Sequence, residues 1–174
     1  MISDYMNEMS WAISEIDADK ILKMVEVLQT AKSKNKRIYT FGNGGSGSTA
    51  SHFAGDLSKS CGIRAFCLND SIPSLTAWAN DSDYRVVFER QLFLIDKGDV
   101  IFAISGSGNS QNIVRALKAA KEKGIYTIGL TAFDGGLVKE LSNLSLVLPT
   151  KNMEVAEDLS LMVCHILKAA LVTK

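Results

Sequence analysis

The sequence predicts an α/β domain built on a five-stranded parallel sheet. Short apolar runs alternate with segments of helical periodicity along the chain. One run, Val100-Ile101-Phe102-Ala103-Ile104, is apolar without interruption, the pattern of a strand covered on both faces. Two strand-to-helix turns, Gly42–Ser48 and Ser105–Ser110, are short and made largely of glycine and serine.

Residues 3–16 and 18–34 place apolar side chains at helical spacing. Ile21, Met24, Val25 and Leu28 form one stripe, and Ile13 and Ile16 belong to another. Asp17 and Asp19 stand where a cap and a first-turn acid favour the second helix. Arg37–Phe41 is a short buried strand that runs into the first glycine loop. A helix follows over Ser48–Lys59, then a second strand over Ala65–Leu68. Ser71–Leu94 has a mixed helical pattern, with Pro73 allowed in its first turn. After the third strand and the Ser105–Ser110 loop, a helix runs through Lys123 and Gly124 caps it. Tyr126–Leu130 is the fourth strand, Val138–Leu141 a short helix, and Leu144–Leu148 the fifth strand, ended by Pro149. The last helix runs from about Glu154 to Val172. Apolar residues from Met153 to Leu171 go nearly all the way round it, which predicts a subunit interface formed with the N-terminal helices. No repeat, low-complexity tract or linker divides the chain, so residues 1–174 are read as one domain.

Composition excludes several classes of function. The chain has 174 residues, with 19 basic and 19 acidic side chains and a formal net charge of zero. Nothing in that balance pulls the protein toward nucleic acid or membrane. The first twenty residues carry early acids and do not read as a signal peptide, and no apolar stretch is long enough to span a bilayer. Cys61, Cys67 and Cys164 form no C-x-x-C pair, so neither a disulfide framework nor a thiolate metal site is indicated. A cytoplasmic protein is expected.

The two glycine–serine loops are the first functional signal. Glycines let backbone N–H groups approach an anion, and a helix N-terminus adds partial positive charge. Ser105, Ser107 and Ser110 could hold a phosphate without any lysine or arginine. Neither loop fits a P-loop or a dinucleotide fingerprint. In a flavodoxin-like strand order, 2-1-3-4-5, the loops after strands one and three face each other across the topological switch point. The second signal is the pair of histidines, His52 and His165. His52 and Asp56 are one turn apart on a helix face. Asp158 lies seven positions before His165 and Glu157 eight. His52, Asp56, Glu157 and His165 offer donors for Zn²⁺ or a similar ion, and equally an acid and a base for proton transfer.

These residues resemble the phosphoheptose isomerases, which act on sedoheptulose 7-phosphate. Phe41-Gly42-Asn43-Gly44-Gly45-Ser46 with Ser51-His52-Phe53-Ala54 is similar to their first signature. Asn80-Asp81, Ile104–Ser110 and Leu130-Thr131 with Asp134-Gly135-Gly136 match further motifs, and His165 falls where their final helix carries a functional His. The resemblance implies the SIS (sugar isomerase) fold in a homotetramer with sites at subunit contacts. It implies substrate binding by Asn43, Gly44, Gly45, Ser46, Asn80 and Asp81, and phosphate binding by Ser105, Ser107 and Ser110. It implies zinc held by His52, Asp56, Glu157 and His165. Aldose–ketose isomerisation would follow, with Asp56 or Glu157 as the base and His165 or a metal stabilising the enediolate oxygen. Three positions depart from the family pattern. Asp56 replaces Glu, Glu157 replaces Gln, and Gly106 replaces a hydroxyl residue. The rival expectation is a non-catalytic protein of the same fold, either a partner of a replication initiator or a sugar-phosphate sensor. The retained acids and histidines favour catalysis.

Overall fold

The computed structural model describes residues 2–172. Two helices come first, α1 (Ile2–Ser14) and α2 (Ala18–Ser33). Asp17 caps α2 by accepting from the Lys20 N–H at 3.1 Å, and Ile21, Met24, Val25, Leu28 and Ala31 form its buried stripe. There follow β1 (Arg37–Gly42), α3 (Gly44–Cys61), β2 (Arg64–Cys67) and α4 (Ile72–Asp81). After two 3₁₀ turns come β3 (Val100–Ser105), α5 (Gln111–Glu122), β4 (Tyr126–Thr131), α6 (Gly136–Leu141), β5 (Leu144–Val147) and α7 (Met153–Leu171).

The five strands are all parallel and lie in the order β2-β1-β3-β4-β5, as the sequence predicts. Period-two alternation assigns each strand residue to one of two cores. Ile38, Phe102, Ile104, Ile128 and Leu130 face the layer of α1, α2, α3 and α7. Tyr39, Phe41, Ile101 and Ala103 face the other layer, with α5 and the segment at 87–95. Phe53 of α3 packs on Phe102 of β3 with ring centroids 5.0 Å apart, which sets the height of α3 over the sheet.

Two segments differ from expectation, and a third, α7, is covered on fewer sides within its own chain than its apolar pattern implies for an assembly. α3 starts at Gly44 rather than Ser48, so most of the expected first loop is already helix. The strand and helix meet too closely for a loop: a Cβ at Gly42 would lie 2.6 Å from the Ser46 backbone. Ser71–Leu94 is not one helical region. α4 stops at Asp81, and the chain continues as 3₁₀ turns at Tyr84–Val86 and Glu89–Leu94. Asp83 causes the first turn. Its carboxylate accepts from the Arg85 side chain and from the Arg85 N–H at 2.7 Å, and these bonds hold it down at about 2. Finally, α7 is buried on one face by its own chain, through Val155, Ala156, Leu159, Ser160, Val163, Cys164, Leu167 and Leu171. Met153 and Ile166 remain well exposed.

Side chains of α1 grip the start of α7. Glu8 accepts from Thr150 Oγ1 at 2.6 Å and from Asn152 Nδ2 at 3.4 Å, and Asn152 in turn caps α7 by accepting from the Glu154 N–H. The Tyr5 hydroxyl donates to Asp158 at 2.6 Å. That bond, followed by desolvation, pushes the Tyr5 phenol up from 10.0 to about 12. A phenol raised in the folded state contributes stability that is complete below the unfolded value and is lost as pH rises through the folded one. Tyr5→Phe should therefore flatten the alkaline fall in melting temperature between about pH 10 and 12. In the core, Phe102→Ala should destabilise the domain by about 3–5 kcal/mol, read from urea unfolding.

Candidate active site

α3 and α7 lie side by side and run in the same direction. Gly45 meets Glu157, His52 meets His165, and Asp56 meets Lys168, an offset that stays nearly constant along the seam. Gly45 leaves room for the Glu157 carboxylate, since a Cβ there would come within 2.2 Å of it. The seam has two functional ends.

At the far end, two imidazoles and a carboxylate converge. His52 Nε2 and His165 Nε2 are 3.2 Å apart, and Asp56 Oδ2 lies 3.4 Å from the first and 3.9 Å from the second. The Asp56 side chain is only 14% exposed, and each imidazole is about half exposed. Lys168 Nζ pairs with Asp56 Oδ1 at 3.0 Å. Asp56 Oδ2 is buried and accepts no hydrogen bond. A shielded anionic oxygen facing two ring nitrogens is a place for a shared proton or a cation. The N, N, O donor set suits a borderline ion such as zinc. Behind it, burial, with a smaller contribution from Asp56, pushes the Cys164 thiol well up, so Cys164 is packing and not a nucleophile.

At the near end, the two loops and α7 enclose a crevice of about 260 Å³. Its walls are Asn43, Gly44 and Ser46 on one side and Ser105, Gly106, Ser107 and Ser110 on the other, with Met153 and Glu157 above. β1 and β3 are neighbours in the sheet, so both loops leave from the switch point. The buried Ser105 hydroxyl has no partner. Met153 occupies the room left by Gly106, where a Cβ would lie 2.5 Å from its sulfur. Among the described residues no lysine or arginine lines the crevice, so what they offer an anion is hydroxyls, the Asn43 carboxamide and backbone N–H groups at helix N-termini.

This arrangement has known counterparts. The family model for the SIS domain matches residues 3–132, from α1 through both loops to the end of β4.

The chain belongs to the SIS domain family.

A phosphoheptose isomerase from Aliarcobacter butzleri is 40% identical over 144 residues, covering 79% of this chain and 76% of that one. A phosphoheptose isomerase from Helicobacter pylori (strain Shi470) is 37% identical over 147 residues, covering 81% and 76%. The solved phosphoheptose isomerase from Neisseria gonorrhoeae shares the fold with a TM-score of 0.91 at 28% identity, over 98% of this chain and 96% of that one. The SIS fold implied by the sequence motifs is thus the fold observed.

Within this SIS chain the residues singled out from sequence divide into three groups. Asn43, Gly44, Ser46, Ser105, Ser107, Ser110 and Glu157 share the crevice, with Gly45 directly under Glu157. His52, Asp56 and His165 share the far cluster, and Glu157 is not with them. The eight positions between Glu157 and His165 correspond to about 12 Å of helix rise. Asn80 and Asp81 sit at the exposed end of α4, bonded to each other at 2.8 Å and outside the crevice lining. Asp158 is taken by Tyr5.

The sequence reading passed over Lys168, Met153, Asn112 and Tyr84. Lys168 had a visible signal, since it follows His165 by three positions on the same helix face. Lys168→Met would leave Asp56 buried without its cation. It should cost about 1–3 kcal/mol, and Asp56→Asn in the same chain should recover most of that, as measured by a double-mutant cycle in urea.

Proposed function

We propose that this SIS-domain protein is an aldose–ketose isomerase of sugar phosphates, with sedoheptulose 7-phosphate as its substrate and glycero-manno-heptose 7-phosphate as its product. The observation that carries the reading is the seam itself. It joins a cation-free oxyanion crevice to a carboxylate–imidazole cluster about 12 Å away, the reach of an extended sugar chain. The family relatives named above support the same activity.

The phosphate rests on Ser105, Ser107 and Ser110 with the α5 N-terminus behind it. The partnerless Ser105 hydroxyl is free to donate to it. The sugar lies along the seam, where Asn43, Gly44, Gly45, Ser46 and Glu157 meet its hydroxyls. Its carbonyl end then reaches His52, Asp56 and His165. Of the two candidate bases, this reading takes Asp56. Glu157 stands beside the phosphate loop, so Asp56 takes the proton from the carbon next to the carbonyl, and Glu157 reads hydroxyls. Asp56 returns that proton to the neighbouring carbon. His165 moves a proton between the two oxygens of the enediol, so the isomerisation balances without any co-reactant. Lys168 holds Asp56 Oδ1 and leaves Oδ2 to face the reacting carbon. His52, Asp56 and His165 could instead hold zinc or another divalent ion, which when bound would polarise the carbonyl oxygen in place of the His165 proton, the base role then falling to Glu157.

The same reading makes the protein a homotetramer with sites completed at subunit contacts. Ile2, Met6, Trp11 and Ile13 of α1 are large, apolar and exposed in the single chain, as interface residues would be. A neighbouring copy is also the natural way for Asn80 and Asp81 to approach a substrate. No helix among the described residues is long and apolar enough to cross a membrane, which accords with a cytoplasmic enzyme.

The test is turnover of sedoheptulose 7-phosphate and a panel of ketose phosphates by the purified protein. Asp56→Asn and His165→Ala should each lower turnover at least about a hundredfold, whereas Glu157→Gln should mainly raise KM. A chelator should lower turnover if the cluster works with an ion. Wild-type turnover in His165→Ala would remove the cluster from the reaction.

A further inference from the structure

The two loops of the crevice are tied to each other by side chains. Asn43 Nδ2 donates to Asn112 Oδ1 at 2.9 Å, and Asn112 Nδ2 donates back to Asn43 Oδ1 at 2.8 Å. The Tyr84 hydroxyl donates to the same Asn43 Oδ1 at 3.0 Å. The Ile113 N–H donates to Asn112 Oδ1 at 3.0 Å. A carboxamide oxygen has two lone pairs and its nitrogen two hydrogens. The Asn43 oxygen is therefore full, and one Nδ2 hydrogen remains for a ligand. Asn43 occupies the N-cap position of α3 yet makes no side-chain cap, because its side chain is committed to this bridge. Asn112 is 3% exposed, so water does not replace a lost partner there.

All three residues sit at points that move a binding loop. Asn43 directly precedes α3, Asn112 lies in the first turn of α5, and Tyr84 opens the turn after α4. The backbone ladder between β1 and β3 ends at the pair Gly42 and Ile104. Beyond it, the amide pair bridges residues 69 positions apart in sequence.

We infer that Asn112, assisted by Tyr84, is a positioning residue: acting through Asn43, it fixes the spacing between the sugar-binding turn at 43–46 and the phosphate loop at 105–110. The inference rests on the reading of the crevice as a sugar-phosphate site. Asn112 touches no reacting atom. It sets the geometry in which Asn43 presents its last free hydrogen and in which the α3 and α5 N-termini converge on one anion and its sugar.

Two measurements on the full chain test this. In steady-state kinetics with sedoheptulose 7-phosphate, Asn112→Ala should raise KM about tenfold or more, with a smaller change in kcat. Tyr84→Phe deletes one hydroxyl on an exposed turn and should raise KM about threefold. In an Asn43→Ala background, removing Asn112 should add nothing further, since its route to the substrate is gone. Amide hydrogen exchange needs no turnover. Asn112→Ala should speed exchange at 43–46, the loop that does not carry the substitution, as well as at 105–110. Unchanged exchange at 43–46, or full additivity with Asn43→Ala, overturns the inference. If Asn112→Ala does not fold, Tyr84→Phe decides by the same readouts, and wild-type KM with wild-type exchange rejects the bridge. If the unsubstituted protein turns over no sugar phosphate, the functional reading fails and exchange alone judges the bridge.

Discussion

A side chain at position 42 would lie 2.6 Å from the Ser46 backbone, and one at position 45 would lie 2.2 Å from the Glu157 carboxylate. Those two close approaches organise the molecule. The first makes β1 turn straight into α3, so the helix N-terminus opens at the sheet's switch point. The second lets the Glu157 carboxylate rest on the backbone of α3, beside a contact between the two helices that is made by buried apolar residues of both. Once that contact is made, the common direction of the two helices places His52 beside His165 and Asp56 beside Lys168. Packing of Phe53 on Phe102 and the grip of α1 on the start of α7 hold the same arrangement from below and from the side.

The electrostatics follow from where charges are absent. The chain is neutral overall, and the crevice has no basic side chain. The groups it offers an anion are directional ones, hydroxyls and helix N–H groups. The positive charge that does enter the site, Lys168, is spent on Asp56 at the other end of the seam. Charge and shape are thus kept apart: the hydroxyls and helix N-termini lie at one end of the seam, the carboxylate, imidazoles and Lys168 at the other.

Much of this was legible in the sequence. The alternation of apolar runs with helical segments was enough for the parallel sheet, while its order and the facing loops came with the flavodoxin-like reading and the family resemblance. His52 with Asp56 was visible because helical spacing is a local rule. The start of α3 was not, because Gly44, Gly45 and Gly47 read as a loop by propensity, and the packing of Gly47 on Gly42 and of Gly45 under Glu157 is not visible in sequence. That Glu157 turns toward the crevice and away from the imidazoles was hidden for another reason: spacing gives the face on which two residues lie, not the direction in which a long side chain reaches along it. Asn112 gave no signal, since an asparagine early in a helix is ordinary until its partner 69 positions away is known.

The parallel seam also acts as a ruler. Both helices advance by about 1.5 Å per residue, so the Cα spacing from position 157 to position 165 is graduated in backbone, and rotamers adjust only what the side chains add to it. Point substitutions change the groups carried at either mark but not the spacing of the backbone beneath them. Altering that spacing takes an insertion or deletion in α3 or α7, or a shift of one helix along the other by a turn.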